Sequence, residues 1–529
     1  MLRRLETAEG QASLLAEWEA MGDWRLASRY MDRVGAATPD TLQSVAEQYL
    51  VWSGTAVVAY RPEAAPGQDW TADTILKEPN GRPAAAPGAP ATPLRDALAA
   101  GAPADGAADF TRDGVEDDVH FYSLGNGVRV VVLPRATSPL VTMAVGRRGG
   151  VVEEQGDTQA LTGMMMRTSA KGTPSRDAAA IALATEMLGG AISSTVSSDL
   201  FAWKLTVPGR HFENGFDLLA DVALEAAFPE EEVERERAVA IAELARLRDD
   251  MARMPIRIVM EGAFQGHPYG VSIQETEAAL HAVDADRLRA WHRDRVRGGA
   301  PLVIVAGDLA PDRAANVAAR AFANLPPAPH ADVPPSPVWP LESRRRVQER
   351  DRAQTALALG FPAPARNHPD VFALLVTANA ISGLGNRLFE ELRSRRSLAY
   401  SVNAYPIVRW LAGTFVAYIA TSPEREDEAR QALLEQLSGL VADGIGEDEL
   451  ARAKRYTIGT WRIQRQTNAA VLMEMAEAIL LGRGIPEIRE FEERVQQVRL
   501  HDVRRVVAQY LDEARAVEGV VRGAAAAAN

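Results

Sequence analysis

The sequence contains no cysteine. Disulfides and thiolate metal sites are therefore excluded, and thiol usage says nothing about redox compartment. Long apolar runs are also missing. A stretch such as Leu302 to Ala306 is a fraction of the roughly 20 residues a membrane-spanning helix needs. The start, MLRRLETAEGQ, carries basic residues but no apolar h-region, so no secretory signal is read there. Periplasmic and cytoplasmic locations both stay open. No basic block stands out, and the formal net charge is -13, which disfavours a nucleic-acid partner. The cluster Arg344, Arg345 and Arg346 lies among acids beside a Pro-rich stretch and is expected to be a solvated linker end. No Walker A loop and no Gly-x-Ser-x-Gly elbow occurs. Gly383 and Gly385 do not begin a dinucleotide fingerprint, because Leu388 stands where the third glycine belongs.

What is present is ordinary globular material. Hydrophobic residues make up 47% and charged residues 24% of 529 residues, enough for several cores. Two stretches rich in Pro, Ala and Gly, residues 63–109 and 326–340, lack apolar periodicity and read as linkers. They separate a head (1–62), a middle block (110–325) and a final block (341–529). The middle block opens with a hairpin signal, Asn126-Gly127 between two β-rich runs. Strands are expected at Leu140 to Gly146, Leu200 to Val207 and Pro301 to Ala306. Helices fit Arg176 to Leu188, a segment from Phe212, one opened by Pro229, and Ala285 to Arg295. The final block offers a strand at Thr355 to Phe361, a helix from Pro369 and a hairpin from Ala399 to Thr421. Helices then start near Glu424, Glu447, Thr467 and His501.

The head repeats the end of the chain. RVGAATPDTLQSVAEQYL aligns without a gap with RVQQVRLHDVRRVVAQYL, pairing Arg33 with Arg494, Val34 with Val495, Val45 with Val506 and Tyr49 with Tyr510. A weaker version, DADRLRAWHRDRV, ends the middle block. The head therefore reads as the terminal segment of an upstream unit whose body is not in this chain. Its apolar face needs a partner.

The order of a hairpin, AFPEEEVERERAVAIAEL, GHPYG, APLVIVAGDL and NRLFEELRSRRSLAYSV resembles the pitrilysin/insulinase (M16) peptidases. The resemblance covers residues 110–325 and 350–520, with the head as a domain terminus. It implies an α+β fold of tandem domains, each an antiparallel sheet with helices packed on one face. Pairs of such domains close around an unfolded peptide.

Active members carry His-x-x-Glu-His on a helix, with a distal Glu completing a zinc site. The segment Ala160 to Thr173 is similar to that helix, and Gly163, Met166 and Arg167 stand where His, Glu and His belong. None can replace them. The distal position falls near Glu234 or Glu236, with Glu234 a leftover acid. The eight histidines, His120, His211, His267, His281, His292, His330, His368 and His501, contain no pair at i, i+4. Met164, Met165 and Met166 are better read as a core face than as soft metal ligands. His267, in GHPYG, is expected to hold a turn.

The final block keeps another family feature. Arg393 and Tyr400 match an Arg/Tyr pair that, in active members, contacts the substrate carbonyl from the domain facing the zinc. Ser397 departs from the glycine often found between them. The resemblance thus implies the non-zinc half of a zinc peptidase, forming the peptide chamber and giving Arg393 and Tyr400 to a zinc-bearing domain or subunit. Such a chain would hold no cofactor itself and would be inactive without that partner. A non-catalytic scaffold or peptide-binding subunit is the alternative. An autonomous hydrolase lacks a complete catalytic set.

Overall fold

The structure, a computed structural model, describes residues 2–51, 54, 56, 58, 109–327 and 333–524. The linker expected over 63–109 lies outside them except for Asp109, as does His330. The chain divides into two compact units, 1–96 and 97–529. The first contains helices Ala8–Ala20, Leu26–Gly35 and Pro39–Tyr49.

The second unit is built on two sheets. In the middle block, β1 (Phe110–Glu116), β2 (Val119–Leu124), β3 (Arg129–Pro134), β4 (Leu140–Arg148), β5 (Ala191–Val196), β6 (Leu200–Pro208) and β7 (Leu302–Gly307) lie in the order β1-β2-β3-β7-β4-β6-β5. The Asn126-Gly127 signal forms the β2–β3 turn, with Gly127 at φ +87°. In the final block, β8 (Arg344–Glu349), β9 (Thr355–Ala363), β10 (Ser401–Ile407), β11 (Gly413–Thr421) and β12 (Val517–Arg522) lie in the order β10-β11-β9-β12-β8. Each sheet is antiparallel except for one parallel pair, β3 with β7 and β8 with β12.

Both sheets are covered on both faces. One face of the first sheet packs Val141, Met143 and Val145 against helices of its own block, such as Phe212–Leu224. Its other face packs Ala144, Leu302 and Ile304 against Leu472, Met475 and Ala476. These come from helix Asn468–Leu481 of the final block, and Asn468 Nδ2 donates to Leu140 O at 3.0 Å. The exchange is reciprocal. Helix Met254–Ala263 of the middle block packs Val259, Met260 and Ala263 against Ala356, Ala358 and Val416 of the second sheet. It comes so close that a Cβ at Gly360 or Gly519 would meet Val259 Cγ1 or Pro255 O at 2.2 Å. Fully burying each aliphatic side chain contributes about 1.5–3 kcal/mol, so the two exchanged helices bind the blocks into one body.

The expected solvated linker end at Arg344, Arg345 and Arg346 is instead the start of β8. The reason is local chemistry. Strand β12 has backbone groups to pair on this side, and Glu426 and Glu518 are 5% and 3% exposed and need cations. Arg345 meets them at 3.0 and 3.3 Å, while Arg344 donates to Gly262 O at 2.8 Å.

Candidate functional site

Helix Leu161–Thr168 carries Gly163, Met166 and Arg167, the positions that the resemblance aligns with metal ligands and base. Gly163 and Arg167 are one turn apart on the same face. A Cβ at Gly163 would touch nothing within 4 Å, and a cavity of about 370 Å³ opens there, lined by Glu154, Gly163, Arg167, Glu243 and Arg257 among others. Met166 points the other way and is buried in the core at 2% exposure.

The electrostatics of this helix are those of a closed set of ion pairs. The Arg167 guanidinium pairs with Glu243, and its Nη1 lies 3.8 Å from Glu236 Oε2. Lys171 Nζ reaches Glu236 Oε1 at 2.9 Å. Two cations thus hold the acids that face the helix. Zinc does not fit these residues, because a permanent cation already occupies the carboxylates and the flanking positions are glycine and methionine. Glu234 does not face the helix. It is exposed and pairs with Arg237 at 3.1 Å. The facing acids are Glu236 and Glu243, on helix Glu230–Arg248. Their i, i+7 spacing, with buried Ala240 between, is the sequence signal that identifies this face.

Glu154 lies at the start of the same helix. Its carboxyl accepts from Ala160 N at 2.9 Å and Thr162 N at 2.7 Å. Burial pushes it up to about 7, although those bonds pull the other way. Among the described residues, no group of three or more His, Asp or Glu could hold a metal ion. His292 is buried, with Nε2 2.7 Å from Ala223 O, and burial drives it down to about 4. His267 holds a turn: its Nδ1 accepts from Tyr269 N, and its Nε2 lies 3.2 Å from Pro335 O. Tyr269 in turn hydrogen-bonds Asp199, which also accepts from Trp410 N at 3.0 Å and so ties the two blocks.

Arg393 and Tyr400 sit on either side of a pinned turn. Arg393 belongs to the π-helical segment Phe389–Arg395, and Tyr400 directly precedes β10. Wide π turns often occur at functional sites. Ser397, between them, has φ 50°, a left-handed conformation that glycine adopts without strain. The turn is held from several sides. Leu398 N and Ala399 N donate to Leu392 O at 2.8 and 3.2 Å, and Tyr400 N donates to Ala420 O at 2.8 Å. Arg425 donates to Ser397 O at 2.8 Å and to Arg396 O at 3.2 Å, and is itself braced by Glu428 at 2.9 Å. The sequence gives no warning of Arg425, because its contact crosses 28 residues.

Neither side chain has a hydrogen-bond or ion-pair partner among the described residues. Arg395 and Arg396 pair with Glu390, Glu391 and Glu435. Arg393 has no carboxylate partner among the described residues and lies over the Phe389 ring, 5.0 Å from its centroid. Tyr400 is 54% exposed. A fixed cation and a neutral phenol donor thus project from one short turn at the edge of the second sheet.

Comparison with known proteins agrees with this architecture. The model of the insulinase family (peptidase family M16) matches residues 129–277, and that of the peptidase M16 inactive domain matches 282–456; together they span more than half of the chain. The chain is 25% identical over 364 residues to the uncharacterized zinc protease YmxG of Bacillus subtilis (strain 168), covering 68% of this chain and 88% of that protein. It is 29% identical over 345 residues to an uncharacterized zinc protease of Mycobacterium leprae (strain TN), covering 63% and 76%. Among solved structures, a peptidase M16 inactive domain from Pseudomonas fluorescens superposes with a TM-score of 0.71 at 20% identity, covering 78% of this chain and all of that one. The periplasmic protease PqqL of Escherichia coli gives 0.67 at 16% identity, covering 94% of this chain and 52% of that one. No helix among the described residues is long and apolar enough to cross a membrane. With sheets, helices and both family models in register, the chain belongs to the insulinase-type M16 peptidase family.

Proposed function

We propose that this chain is the non-zinc half of an M16-type peptidase, walling a peptide chamber and supplying Arg393 and Tyr400 to the substrate. The observation that supports this reading is that those two side chains have no hydrogen-bond or ion-pair partner among the described residues, on a turn whose backbone is held by several hydrogen bonds. A peptide carbonyl under attack gathers negative charge on its oxygen. A guanidinium and a phenol held ready near that oxygen stabilise the charge without having to reorganise. A zinc-bearing partner would supply the metal and the water-activating chemistry. Strand β10, which begins at the residue after Tyr400, is a sheet edge, and β5 is one of the two edges of the other sheet. An unfolded peptide adding to β10 as a strand would carry its carbonyls past the turn.

The test is turnover of a quenched fluorescent peptide by the chain assembled with its zinc-bearing half. Tyr400→Phe is expected to lower turnover about 100-fold with an unchanged melting temperature. Equal turnover by variant and wild type would remove the assignment. Zinc retained by the chain alone, after equilibration with excess zinc and desalting, is expected to be near zero. Close to one zinc per chain would instead point to an autonomous enzyme.

A further inference from the structure

The head carries an apolar face that is exposed. Val34, Leu42, Val45 and Leu50 are 53%, 63%, 51% and 82% exposed. Shifting by 461 positions matches them to Val495, Val503, Val506 and Leu511, which are 0%, 0%, 0% and 6% exposed. The matched helices, Pro39–Tyr49 and Leu500–Tyr510, begin and end at equivalent residues. The same apolar pattern is thus buried in one copy and bare in the other. Each side chain left bare forgoes about 1.5–3 kcal/mol of burial.

The buried copy states what the cover is made of. Val503 and Val506 share a core with Leu374 of helix Asp370–Ile381 and with Leu357 and Leu359 of β9. Tyr510, matched by Tyr49, donates its hydroxyl to Asp370 at 3.1 Å. The guanidinium of Arg494, matched by Arg33, lies 5.6 Å from the Phe372 ring centroid. The cover therefore combines an apolar sheet face with a helix that offers a carboxylate and an aromatic ring near its start.

We propose that the face formed by Val34, Leu42, Val45 and Leu50 docks on such a domain body, carried by the zinc-bearing half and lacking its own closing helices. Docking rests on the repeat and on the exposure of the face; the choice of carrier rests on the function proposed above. Gln43 and Glu47 match Arg504 and Ala508, which are exposed in the closing copy, so this side of the helix stays outside the contact.

The test places a photo-cross-linking amino acid at Leu42 or Val45, with Glu47 as the control position, in the full chain made in the cells that naturally produce it. Cross-linked peptides are identified by mass spectrometry. The expected result is a cross-link from Leu42 and Val45 to a polypeptide with a His-x-x-Glu-His motif, in its segment corresponding to residues 355–381, with the Glu47 site silent. Leu42→Asp combined with Val45→Asp should cut co-purification of that polypeptide about 100-fold or more, since two unpaired carboxylates would be buried. The same cross-links to an M16-type body without the motif would uphold docking but overturn the zinc-bearing carrier, and with it the proposed function. Cross-links only to a second copy of this chain, to residues 110–524 of the same chain or to an unrelated protein would overturn docking. So would equal yields at all three positions.

Discussion

The middle and final blocks are each built on a sheet, and their two candidate sites differ in how the charged side chains are engaged. In the middle domain Arg167 and Lys171 are both tied to acids of the facing helix. In the final block Arg395, Arg396 and Arg425 are tied to acids too, yet Arg393 has no carboxylate partner among the described residues, and Tyr400 stands exposed at the other end of its turn. Residue type alone does not separate the two situations. Whether a charged group already has its partner does. A half-exposed Arg–Glu pair contributes at most about 1 kcal/mol and binds nothing else. An unpaired guanidinium on a strained, braced turn is available to a ligand.

The comparison can be broken most sharply at the turn. The double variant Arg393→Gln with Tyr400→Phe is expected to lose about 1,000-fold in peptide turnover while unfolding like wild type. A similar loss from Arg167→Gln would erase the distinction between the two domains. A smaller but still large effect lies in the helix exchange. Gly519→Ala drives a Cβ into Pro255 O and should cost about 3 kcal/mol in urea unfolding. Gly163→Ala meets nothing and sits in a helix, so it should stabilise by up to about 1 kcal/mol. If Gly163→Ala also destabilised, the cavity beside it would not be open.

Acidity gives the next contrast, within the middle domain itself. Glu154 is raised from 4.5 to about 7. The folded state then binds its proton more tightly than the unfolded state does. Stability is therefore fully present below 4.5 and is lost as pH rises through 7, by roughly 3 kcal/mol. His292 is lowered from 6.5 to about 4. Its contribution runs the other way, present above 6.5 and lost as pH falls through 4. Denaturant titrations across pH should show Glu154→Gln flattening the slope between pH 4.5 and 7; an unchanged slope would mean that Glu154 does not titrate there. The smallest expected effect is Arg167→Ala, below about 1 kcal/mol because the pairs it breaks are partly exposed. A larger loss in thermal unfolding would make those pairs a structural keystone.

How much could be read beforehand varies with the element. The β2–β3 hairpin was legible because Asn126-Gly127 suits only a tight turn. Helix Glu230–Arg248 was legible from Pro229 and its acidic first turn. Helix Met254–Ala263 was not singled out. It lies between its own block and the sheet of the other, and eight of its residues are buried, so its pattern lacks a clear polar face. Strand β8 was hidden because three arginines do not look like a strand; acids distant in sequence make it one. At the candidate sites, the order of motifs located Arg393 and Tyr400, but nothing in the sequence foretold that Arg393 would be left without a carboxylate. Glu243 shares the face of Glu236 by its i, i+7 spacing, but only the packing of the two helices puts that face against Arg167.

By itself the sequence determined the absence of thiol chemistry, the absence of a His-x-x-Glu-His motif, the repeat of the head at the end of the chain and most of the helices and strands. These depend on residue identity and short spacings, which a chain carries before it folds. Only the tertiary structure decided which helix covers which sheet, that Glu243 rather than Glu234 meets Arg167, and that Arg393 lies over Phe389 with no carboxylate partner among the described residues. Those outcomes depend on contacts between residues far apart in sequence. Burial and charge pairing are settled there by what the neighbouring surface offers.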